Sequence, residues 1–297
     1  MEQFVVAILI RVLIAVILAV GLNLTAGVAG QLSLGHAAFM AVGAYSCAEF
    51  SICYPSPAAP VIGIIVGAVC AGCLALLIGM PVLRLNGDYL AVATLGLGEI
   101  TRIALENMSV VGGAAGLYAI PKYTSLWGAA LVAVLALFLC KAFMNSKMGL
   151  FCRAVREDEL SAGSMGVNTF AVKLTAFVMS AAVAGVAGGL YGGMMGFISP
   201  RDFGFPRSVD MIAAVVLGGA GSFWGVILAA VGLETTSLLL QPISELRMVI
   251  FGFLLIATVI IRQKISAKSG QKDYLTVLLA RINPWNDRYV KKRRKIS

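Results

Sequence analysis

Eight long apolar stretches, parted by short polar ones, run through this sequence: residues 4–22, 34–50, 59–80, 89–105, 126–144, 173–198, 209–240 and 246–261. Most come close to the ~20 residues that an α-helix needs to cross the hydrocarbon core of a bilayer. With 60% hydrophobic residues, only 12% charged ones and a mean hydropathy of +0.93, a soluble domain could not bury the apolar surface. The expected fold is therefore all-α, a polytopic membrane bundle of about 8–10 segments, some broken or re-entrant. The 33 glycines fit helices whose backbones approach closely.

The net charge of +9 sits in the tail. From Arg262 onward there are eleven basic and two acidic residues, ending in the run Lys291-Lys292-Arg293-Arg294-Lys295; the remainder of the chain has twelve of each sign. Beside a final span such a run reads as a cytoplasmic anchor over anionic membrane lipid, rather than as a nucleic-acid contact. The domain reading is a transmembrane domain over 1–261, with a cytoplasmic loop at 146–172, and a basic cytoplasmic tail over 262–297. The first run is too long for the apolar part of a cleavable leader, and none is expected.

Charge also orients the chain. The segment 146–173 carries Lys147, Arg153, Arg156 and Lys173 and belongs inside. Counting back, 107–125 lies outside, 81–88 inside and 51–58 outside, which puts the N-terminus outside. Counting forward, three simple spans would leave the basic tail on the wrong side, so one segment must be split. The candidate is 209–240, interrupted by Gly218, Gly219, Gly221, Ser222 and Gly225. Such glycines either break the helix where it lines a pathway or only permit close packing. A second Gly-rich stretch, 21–43, holds Asn23, Thr25, Gln31, Ser33 and His36. Its Ala29-Gly30-Gln31 faintly echoes Ala220-Gly221-Ser222.

Catalysis finds no support. There is no GxxxxGK[ST] loop and no complete GxGxxG. A single histidine, His36, excludes a multi-histidine metal site and a credible Ser/His/Asp set. Cys70-x-x-Cys73 has redox spacing but lies in an apolar run, where small-residue packing is the simpler reading. No catalytic residue, metal site or cofactor is assigned to this chain. Ionisable residues within the runs are Arg11, Glu99, Arg102 and Glu106. The last three share one helix face, as the wall of a route or as a structural ion-pair cluster.

The polar interruption predicts a helix from about 153 to 165. Val155, Ala162 and Met165 fall on one stripe, flanked by Arg153, Arg156, Glu157, Asp158 and Glu159. Gly166 or Asn168 is placed to terminate it in a left-handed conformation.

Four stretches, 21–45, 85–116, 149–174 and 185–232, resemble the permease subunits of bacterial branched-chain amino acid ATP-binding-cassette (ABC) importers, in the LivM-like branch. The runs RAVREDELSAGSMGVN and VLGGAGSFWG are the most specific. The resemblance implies a multi-pass subunit of the bacterial inner membrane, paired with a second homologous, LivH-like permease. It also implies two cytoplasmic ATPase subunits, which bind ATP and Mg²⁺, and a periplasmic solute-binding protein. Residues 153–166 would be the coupling helix docking on an ATPase, with Ala162 and Gly166 at the second Ala and the Gly of the importer consensus EAA-x-x-x-G. Leu160 and Ser161 depart from that consensus, Gly163 stands where LivM-like chains often carry Glu, and Ala114 and Ala115 replace a usual Pro-Asn. The implied function is alternating-access uptake of branched-chain or related hydrophobic amino acids. Urea or short amides on the same architecture, or an ATP-independent channel or carrier, are the alternatives.

Overall fold

A backbone in lipid has no water to bond with, so apolar runs close their hydrogen bonds within helices. The computed structural model describes residues 2–56, 58–85 and 87–239. They form α1 (Glu2–Leu22), α2 (His36–Cys53), α3 (Ala59–Val82), α4 (Asp88–Asn107), α5 (Leu126–Asn145), α6 (Lys147–Glu157), α7 (Glu159–Ser164), α8 (Thr169–Met195), α9 (Phe205–Gly218) and α10 (Phe223–Leu239). No strand occurs among the described residues beyond one antiparallel bridge, Leu117 with Ile198. Four described segments are long and apolar enough to cross a membrane: Val5–Val28, Ala59–Val82, Leu126–Asn145 and Thr169–Met195. The apolar run 246–261 and the tail 262–297 lie outside the described residues.

The centre of the bundle is built on absent side chains. α2, α3 and α8 meet at Gly43, Gly67 and Gly185. A Cβ on Gly185 would lie 2.7 Å from the Gly67 carbonyl oxygen, and one on Gly67 would lie 2.6 Å from that of Gly43. Phe39 and Phe177, stacked edge-to-face at 5.3 Å, fill the adjoining layer. α1 runs antiparallel to α8, pairing Thr25 with Ser180 near one end and Arg11 with Met195 near the other.

The expected split of 209–240 is present. α9 ends at Gly218 and α10 begins at Phe223, and the two fold back on each other so tightly that a Cβ on Gly218 would overlap the Val226 backbone. At 14 residues α9 is about 21 Å long, short of a full span. It starts from a 3₁₀ turn, Pro200–Phe203, whose Phe203 ring lies 6.2 Å from Tyr45 in the middle of α2. The chain thus re-enters the bundle after α8. The stretch 108–125 closes the same end of α8. Tyr123 Oη donates to the Gly189 carbonyl at 3.0 Å, and Thr124 Oγ1 to that of Leu190 at 3.0 Å.

Candidate functional site

The polar interruption folds as two helices, not one. Asp158 adopts an extended conformation (φ −157°, ψ 107°), and its Oδ1 accepts from the amides of Leu160 at 3.0 Å and Ser161 at 3.1 Å. A side chain that caps a new N-terminus competes with helix continuation, which is why 153–165 breaks there. Gly166 ends α7 at φ +85°, with Val167 N reaching back to the Ala162 carbonyl. Asn168 instead caps α8 through the Ala171 amide.

The break also divides the anticipated stripe. Val155 and Ala162 turn inward and are buried, while Met165 is 86% exposed and Leu160 85%. The outward apolar surface of this segment is therefore Leu160 and Met165; Ala162 packs against its own chain. The segment is fastened to the bundle at three points. Arg153 donates to the Met144 carbonyl at the end of α5 (3.1 Å). Glu159 takes Lys173 of α8 on both oxygens at 2.6 Å. Arg156 donates to the Gly27 carbonyl. Glu157 is exposed at the end of α6. Cys152, fully buried, has its thiol pushed up to about 11 by desolvation.

Gly27 belongs to a π-helical turn, Asn23–Val28, that extends α1. Wide turns of this kind free backbone carbonyls and recur at functional positions. Asn23, wholly buried, reaches from it to the α9–α10 turn: its Oδ1 accepts from Gly221 N at 2.8 Å and its Nδ2 donates to the Ser222 carbonyl at 3.4 Å. Gly219 (φ +91°) and Gly221 (φ +87°) supply the left-handed turn, whereas Gly218 and Gly225 supply the close crossing of α9 and α10. These glycines thus both break the helix and permit close packing, at different positions. The two stretches that echo each other in sequence touch in space.

From Ala29 the chain runs irregularly to His36, where α2 starts. Thr25 Oγ1 lies 3.0 Å from Ser180 Oγ, and Ser180 donates to the Gly21 carbonyl at 2.6 Å. His36 Nε2 lies 3.4 Å from the same hydroxyl. Gln31, Ser33 and His36 are each at most 3% exposed. Both Gln31 amide atoms, Ser33 Oγ and His36 Nδ1 have no hydrogen-bond partner among the described residues. Orphaned polar groups cluster at strained or functional places. The α4 charges stand apart from this cluster. Arg102 binds Glu99 at 2.8 Å and Glu106 at 2.6 Å, with side chains 24–36% exposed, facing the 3₁₀ turn before α9. Among the described residues no group of three or more His, Cys, Asp and Glu could hold a metal.

Residues 4–259 match the family described as the permease component of the branched-chain amino acid transport system. The chain belongs to this permease family. It is 37% identical to the high-affinity branched-chain amino acid transport system permease protein LivM of Salmonella typhimurium, over 87% of this chain and 71% of that one. With LivM of Escherichia coli it shares 37% identity over 84% and 67%. A shorter stretch, 35% of the chain and 32% of the relative, is 40% identical to LivH of Escherichia coli. No solved structure shows a significant match.

Sequence reasoning missed three hydroxyls that the permease uses to pin its irregular segments. Ser180 joins α1, α2 and α8. Thr94 Oγ1 accepts from Leu34 N at 3.0 Å, and Ser208 Oγ from Ala37 N at 3.2 Å. The available signal was a hydroxyl within a largely apolar helix, a residue type that bonds across helices in membranes.

Proposed function

We propose that this permease translocates branched-chain or related hydrophobic amino acids across the bacterial inner membrane by alternating access. In this reading it pairs with a LivH-like permease, receives solute from a periplasmic binding protein, and is driven by two ATPase subunits. ATP and Mg²⁺ belong to those ATPases, and this chain supplies no cofactor. The cargo follows the names of its LivM and LivH relatives. The observation that carries the coupling role is the α6–α7 segment. It presents Leu160 and Met165 almost fully outward while its polar side chains fasten it to α1, α5 and α8. A partner that grips those two apolar side chains can push on three membrane helices at once.

The segments 23–36 and 218–222, with Glu99 and Arg102, are the proposed pathway elements. The segment 23–36 combines irregular backbone with buried polar side chains, 218–222 adds the glycine turn, and Glu99 and Arg102 add part-exposed charge within an apolar run, all of which are tolerated where a polar route needs them. The test is the pair Leu160→Asp and Met165→Asp in the co-expressed complex. Membrane insertion should be unchanged and co-purification of the ATPases lost; normal capture of the ATPases by the double variant would remove the docking assignment. Uptake of labelled leucine against labelled urea into proteoliposomes decides the cargo.

A further inference from the structure

We infer that Arg156 is not part of the ATPase-docking face but a positioning residue. It clasps the coupling segment to both irregular membrane segments, so that the three move as one body. This inference rests on the transporter reading above and adds to it the residue that carries the motion inward.

Four observations converge on one side chain. Its guanidinium donates to the carbonyl of Gly27 in the π-turn. Its stem lies over Gly30, where a Cβ would come 2.8 Å from Arg156 Cγ. The guanidinium also closes on Gly221, where a Cβ would come 3.0 Å from Nη1. Asn23 then bridges the π-turn to Gly221 and Ser222 beneath it. Two glycines, at 30 and 221, are what let the arginine sit so close to two backbones, while Gly27 lets the π-turn itself press on Gly221.

The chemistry suits a link better than a surface contact. Arginine offers five donors in a planar fork that stays charged at any accessible pH. A charge-assisted bond to a carbonyl already freed by the π-turn replaces a partner that helix geometry has removed. Leu160 and Met165, the exposed apolar pair, lie on the far side of the Asp158 break. Docking and transmission are thus divided between α7 and α6. A push on α7 reaches α6 through the continuous chain, then the ends of α1 and α9 through Arg156.

The experiment uses the complete transporter in proteoliposomes, comparing wild type, Arg156→Ala and Arg156→Lys. Three quantities are read: ATPase subunits retained on purification, ATP hydrolysed, and solute taken up. Arg156→Ala should hold its ATPases and hydrolyse ATP within about twofold of wild type, while solute moved per ATP falls at least tenfold. Lysine keeps one charged donor but loses the fork, and should recover part of that ratio. Unchanged solute per ATP in the alanine variant overturns the inference. So does loss of the ATPase subunits, because Arg156 would then belong to the docking face. So does a lysine variant no better than alanine, which would reduce the role to a shape only arginine fills. A wild-type complex without ATP-driven uptake would instead sink the transporter reading, and the inference with it.

Discussion

Substituting Gly185 with alanine places one methyl where α2, α3 and α8 cross. The added carbon would lie 2.7 Å from the Gly67 oxygen, 2.8 Å from Ala71 Cβ and 3.0 Å from Ala68 Cα. Two of those three are backbone atoms, which have no rotamer to change. Ordinary contact begins near 3.4 Å, so α3 must retreat by about 0.7 Å, thinning an interface held together by close packing. Overpacking of this kind costs about 1–3 kcal/mol. Alanine regains about 0.5–1 kcal/mol of helix propensity; because the contacts here are with backbone, the cost lies towards the upper part of its range and the net loss is about 1–2.5 kcal/mol. Gly72→Ala is the internal control. It lies on α3 facing the same helix, yet its new Cβ would meet nothing closer than 3.8 Å. That variant should gain the propensity term and be stabilised by about 0.5–1 kcal/mol. Thermal unfolding of the purified protein in detergent reads both. Opposite signs are expected; a Gly185→Ala protein as stable as Gly72→Ala would refute the close three-helix approach.

Two further outcomes bear on the coupling segment. Asp158→Ala removes the cap of α7 and should cost about 1 kcal/mol locally. Amide exchange at Leu160 and Ser161 then rises about fivefold, Asp158→Asn stays near wild type, and unchanged exchange in the alanine protein would argue against the two-helix fold. In a variant keeping only Cys53 and Cys152, the exposed Cys53 should react with a maleimide at pH 7.5 while buried Cys152 reacts about 100-fold slower or less. Because the Cys152 thiol is pushed up to about 11, its rate should still be climbing between pH 9 and 10; a plateau near pH 9 would show an ordinary, accessible thiol.

What could be read in advance follows the physics of the solvent. In lipid, length and apolarity alone force a helix, so 59–80 and 126–144 reappear as α3 and α5 within two residues. The split of 209–240 was legible because charge fixes sidedness, and an odd number of crossings contradicted the tail. The break at Asp158 was hidden, since an aspartate between two acidic neighbours looks like any solvated charge until its carboxylate finds two amides. The same break hid which way Ala162 points, because a helical stripe holds only while the helix is unbroken. Gly30 and Gly35 weaken a helix over 29–35, but nothing local places the first turn of α2 at His36 rather than at Leu34. Partners such as Ser180 with Thr25, far apart in sequence, are a product of packing that no local pattern encodes.

The glycine crossing of α2, α3 and α8 has a mechanical consequence. Interfaces of interlocked side chains can creep, because each rotamer offers a small step to a neighbouring arrangement. Backbone pressed on backbone offers no intermediate positions, so these three helices form a stiff chassis that can tilt but not slide. Compliance is left to the parts held by a few polar side chains: α4 and the stretch 29–35 through the Thr94 hydroxyl, and the α9–α10 turn through Asn23 and Arg156. A rigid frame with a few lightly latched panels converts a force applied at one point into displacement elsewhere, without spending it on deforming the middle.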